Sequence, residues 1–100
     1  MPLNDVQRES IYRLVRSQPN YIPFFKYLTG LQLNMRQSSL AVVENHSGLN
    51  QKSSLDLMRQ IAATGVAEMH HGGGGQASYL TWAEDVDIRD VGHSADRPLR

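Results

Sequence analysis

Residues 69–76 read Met-His-His-Gly-Gly-Gly-Gly-Gln, a stretch open to three chemistries. Neighbouring imidazoles can ligate a metal, a glycine run can cradle a phosphate, and glycines can form the tip of a hairpin. On a strand, successive side chains point to opposite faces. His70 and His71 therefore cannot readily grip one ion, and neither His46 nor His93 stands at a ligand spacing to them. A P-loop requires Gly-Lys-Ser/Thr after its glycines, whereas Gln76-Ala77-Ser78 stands here. As a linker the glycines would need a second core beyond them, and the 25 residues after Gly75 are too few to build one. Short runs on both sides, 66–71 and 76–82, read as strands, so the glycines become a hairpin tip. His70, His71 and Gln76 at its base are the side chains that would touch phosphate or solvent.

A second polar group falls at helical spacing. Residues 51–63 follow Asn50, a good N-cap, and stop before Gly65. Stepping about 100° per residue, Leu55, Met58, Ile61 and Ala62 gather on one side, with Ser54 close to them. Ser53, Asp56 and Gln60 project from the other side, with Lys52 and Arg59 on one flank and Leu57 on the other. Cations, amides and hydroxyls so arranged suit the phosphates and base edges of DNA; the alternative is a solvated or protein-facing surface. Asp56 dissents: it can accept from cytosine, or it repels phosphate. Gln51, at the helix start, can meet a phosphate through its side chain and backbone N–H. Arg36, upstream, is a further candidate for a DNA-backbone contact.

Composition narrows the classes. With 100 residues, 40% hydrophobic and 20% charged, the chain makes one modest core. Cysteine is absent, which excludes disulfides, cysteine zinc sites and thiol nucleophiles. No apolar run is long enough to span a membrane, and the first residues lack a secretory pattern, so a cytoplasmic protein with no membrane partner is expected. Enzyme motifs are missing: there is no Gly-x-Ser-x-Gly and no dinucleotide fingerprint. The acids of Glu-Asp-Val-Asp-Ile-Arg-Asp (84–90) fall where no pocket is expected to shift their pKa values. No enzymatic activity, cofactor or metal is expected. Net charge is zero, but residues 1–83 hold seven Lys/Arg against five Asp/Glu, and residues 84–100 three against five. A weakly basic body with an acidic end is compatible with nucleic acid.

The elements that must position these residues follow from caps and breakers. A helix is expected over 5–17, capped by Asn4 or Asp5 and broken by Pro19. A short helix over 23–28 ends at Gly30. It neighbours Tyr21 and carries Phe24, Phe25 and Tyr27, rings that are either core or a dimer or partner surface, since so short a helix cannot bury them all. A third helix is expected over 35–45, with Gly48 turning left-handed after it, and the fourth over 51–63. In the second strand Leu80 and Trp82 share the core side. Residues 86–100 read as a flexible acidic and polar tail to a domain of residues 1–85.

Two short helices around a glycine turn, followed directly by a hairpin, make residues 36–83 similar to a known pattern. Leu40, Val43, Gly48, Leu49, Leu55, Met58, Ile61, Gly65-Val66 and Tyr79-Leu80-Thr81 carry it. The chain resembles the winged helix-turn-helix domains of bacterial transcription regulators, including the MarR-like and ArsR-like groups. The resemblance implies a mostly α fold of about four helices followed by a two-stranded wing. It further implies a homodimer that binds double-stranded DNA, with helix 51–63 in the major groove and the wing, 66–83, on the backbone. A protein–protein adaptor on the same fold is the alternative.

Overall fold

The structure, a computed structural model, describes residues 3–31, 36–72 and 77–95. In chain order it comprises α1 (Asp5–Ser17), a single 3₁₀ turn (Pro19–Tyr21), α2 (Ile22–Leu28), β1 (Gln37–Ser39), α3 (Leu40–Ser47), α4 (Gln51–Ala63), β2 (Ala67–His70), β3 (Tyr79–Trp82) and α5 (Ile88–Ala95). The chain is mostly helical with a small antiparallel sheet. Among the described residues no helix is long and apolar enough to cross a membrane.

Local chemistry sets the helix starts. Asn4 Oδ1 accepts from the Gln7 N–H at 2.8 Å while Gln7 Oε1 accepts from the Asn4 N–H at 3.2 Å, so two otherwise orphaned donors are satisfied reciprocally. Asn50 Oδ1 accepts from the Ser53 N–H at 2.8 Å and starts α4 where the sequence places it. Gly48, at φ 74°, takes the left-handed conformation that ends α3 and aims the chain into α4.

The third helix differs from expectation. It begins at Leu40, and Gln37–Ser39 ahead of it pair with β3 as a third strand; Met35 lies outside the described residues. The sheet order is β1-β3-β2, with Ser38 opposite Leu80 and Met69 opposite Leu80 on the other side. Ser39 makes the change of direction, because its hydroxyl accepts from the Val42 N–H at 3.3 Å and caps α3. The central strand points Leu80 and Trp82 into the core, as alternation requires. The Trp82 indole N–H donates to the buried Ser38 Oγ at 3.0 Å, which satisfies both polar groups inside the apolar interior.

Two further expectations are corrected by burial. Val86, Ile88 and Val91 are core residues, and α5 packs against α1 and α2, so 86–95 is an integral element and not a loose tail. Arg8 of α1 pins it, with Nη2 2.9 Å from Asp90 Oδ2. Tyr21, Phe24 and Phe25 are buried beside Ile11, Val15 and Leu28, so they are core and not a dimer or partner surface. The 3₁₀ turn and α5 supply the cover that α2 alone lacks. Tyr27 is half-buried, its ring stacked on His46 at 3.6 Å between centroids.

Candidate nucleic-acid interface

The candidate interface is built on α4. Its inner face is Ser54, Leu57, Met58 and Ile61, all buried. That face is rotated from the expected one: Leu57 is fully buried, while Leu55 and Ala62 are only partly covered. Ser54 stays on the buried side, and its hydroxyl donates to the Leu49 carbonyl at 3.4 Å at the start of the helix.

Rotation leaves Gln51, Lys52, Leu55, Asp56 and Arg59 facing outward, and together with Asn50 they line a shallow concavity of about 570 Å³. Gln51, Lys52 and Arg59 are exposed, whereas Ser53 is half-buried. Arg59 Nη1 lies 2.9 Å from Asp56 Oδ1. The strip therefore carries two cations and one acid, a surplus of one positive charge per copy. Being exposed, the pair contributes at most about 1 kcal/mol to the helix.

Two expected contact residues face the protein instead. Gln60 Nε2 donates to Tyr21 Oη at 3.0 Å and ties α4 to the 3₁₀ turn. Arg36 sits not at a helix start but before β1, and its guanidinium donates to the carbonyls of Trp82, Ala83 and Val86. It closes the bend between β3 and α5. The chain turns sharply there, and its carbonyls need donors that the sheet cannot supply.

The hairpin lies next to α4 in the fold, with Ala67–His70 paired to Tyr79–Trp82. His70 stands opposite Tyr79, and the two rings stack at 4.7 Å between centroids. His71 is exposed, and the Gly72 N–H donates to Ser78 Oγ at 3.0 Å across the base of the tip. Gln76 and the glycines at 73–75 lie outside the described residues. Among the described residues, no three His, Asp or Glu side chains come together as a metal site.

Leu55 and Tyr79 are residues of the candidate interface that sequence reasoning did not single out. Leu55 read as core because it stands at helical spacing with Met58, Ile61 and Ala62. The alternation in β3 marked Tyr79 as outward, but not its stacking on His70. No family model matches the chain, and no curated protein or solved structure matches it.

Proposed function

We propose that the protein is a small winged-helix regulator that binds double-stranded DNA, with α4 in the major groove and the β2–β3 hairpin as its wing. The observation that carries this reading is the placement of the Gln51, Lys52, Leu55, Asp56 and Arg59 strip on a capped helix directly after a tight turn. Such a helix buries one side against the body and leaves the other free to enter a groove about 12 Å wide. The order α2, β1, α3, α4, β2, β3, with β3 between the other two strands, supports the winged form. His70, His71 and Tyr79 at the base of the hairpin are suited to the sugar–phosphate backbone beside the groove. One surplus charge per copy is weak attraction, so a homodimer presenting the strip twice fits the reading.

A protein-facing adaptor is the second reading, favoured by one observation. Asp56 offsets half the positive charge of the strip, and the half-exposed Leu55 beside it is apolar.

Titration of a labelled random-sequence duplex at about 50 and 200 mM salt separates the two. DNA binding predicts measurable affinity at low salt that falls steeply at high salt. Lys52→Ala and Arg59→Ala should each weaken it, and Lys52→Ala should flatten the slope of log K against log salt by about 0.9 through loss of a phosphate contact. No binding at low salt, or unchanged affinity in both variants, would overturn the proposal.

A further inference from the structure

Asp56 is the one acid on α4, and on a helix that simply held phosphate it would be a defect. We infer that Asp56 is a positioning residue that presents Arg59 for two-point recognition of a guanine, with Leu55 set against a thymine methyl alongside. This rests on α4 entering the major groove.

The 2.9 Å contact between Arg59 Nη1 and Asp56 Oδ1 involves two side chains that remain 54% and 46% exposed. A guanidinium has five N–H donors in a fixed fork, and the carboxylate engages only part of it. The remaining donors match the N7 and O6 acceptors of guanine. Holding one edge of a long side chain in advance removes rotamer freedom that binding would otherwise have to remove.

Leu55 lies one turn before Arg59, and both line the same concavity. Four residues rise about 6 Å along a helix, or roughly two base steps of 3.4 Å. A leucine neither donates nor accepts, so the feature it can favour on the groove floor is the thymine methyl. The carboxylate of Asp56 also opposes nearby phosphates. It should therefore weaken binding to arbitrary DNA while sharpening choice among sequences. A pair that only stabilised the helix would leave that choice untouched.

The test uses the full chain and a library of randomised duplexes. Affinities for the selected duplex would be compared with those for the same duplex carrying guanine-to-adenine or thymine-to-uracil replacements. Selected duplexes should share a guanine with a thymine about two base steps away, and the adenine replacement should weaken binding about tenfold. Asp56→Asn should hold or raise affinity for random DNA, lower the melting temperature by no more than a few degrees, and bring the guanine-to-adenine ratio close to one. Arg59→Lys should also lose the ratio, since an ammonium cannot bind two acceptors as a fork. Uracil, which lacks the methyl, should weaken the parent severalfold but leave Leu55→Ala unaffected. A guanine preference that survives in Asp56→Asn, or a uracil replacement without effect on the parent, overturns this inference while DNA binding stands. If the parent retains no duplex at low salt, the DNA reading itself fails.

Discussion

Replacing Gly92 with alanine is expected to lower the thermal midpoint by roughly 10 °C, equivalent to about 2 kcal/mol in a domain of this size. A Cβ at Gly92 would lie 2.6 Å from the Phe25 carbonyl oxygen and 2.9 Å from the Thr29 nitrogen, both backbone atoms of the α2 segment, and 2.7 Å from Thr29 Cγ2. Backbone cannot swing aside as a flexible side chain can, so α5 must lift away from α2 and loosen Ile88 and Val91. Alanine gains about 1 kcal/mol of helix propensity over glycine, and overpacking costs up to about 3 kcal/mol or more. The steric cost outweighs the propensity gain here, because two of the three close atoms are backbone. Gly30→Ala is the control, because its Cβ would meet nothing closer than the Tyr27 oxygen at 3.9 Å. A midpoint for Gly92→Ala at or above that of the parent would show that α5 does not pack where it is described.

The second large effect belongs to Trp82. It is 2% exposed, is the only tryptophan in the chain, and holds β1 through the Ser38 hydroxyl. Trp82→Ala should cost about 4 kcal/mol from lost burial and the cavity left behind, and Ser38 loses its donor partner besides. Against a total of about 5–15 kcal/mol for a typical domain this is a large share, and the thermal midpoint should fall by roughly 20 °C, read by far-ultraviolet circular dichroism because the fluorophore is gone. Ser38→Ala, which leaves the buried indole N–H unpaired, should cost about 1–3 kcal/mol. A native-like midpoint for Trp82→Ala would place the residue outside the core.

The elements that sequence reading located well are those whose ends are written in local chemistry. Asn4, Asn50 and Gly48 mark α1, α4 and the turn between α3 and α4 through side-chain caps and a left-handed φ. The elements it missed depend on partners distant in the chain. β1 is Gln-Ser-Ser, with no apolar residue to alternate, and it is a strand because β3 lies beside it and Trp82 reaches Ser38. α5 was hidden by the acids of residues 84–90 that lead into it and by Gly92, which reads as a breaker. Its glycine is there for the close approach of α2, a fact held 63 to 67 residues away, at Phe25 and Thr29. Arg36 shows the same limit in the candidate interface, since a cation reads identically whether it faces a phosphate or three carbonyls of its own chain. On α4 the polar strip was legible from helical spacing, but Leu55 and Leu57 border the same apolar stripe, and only packing against the rest of the domain buries Leu57 and leaves Leu55 partly exposed.

The most direct measurement for recognition by α4 is amide chemical-shift mapping of the full chain during titration with duplex DNA at low salt. Shifts concentrated at residues 50–60 and at His70, His71 and Tyr79 are expected, with α1 and α5 little changed. An absence of shifts at saturating duplex, or shifts confined to α1 and α5, would contradict a DNA-reading role for α4.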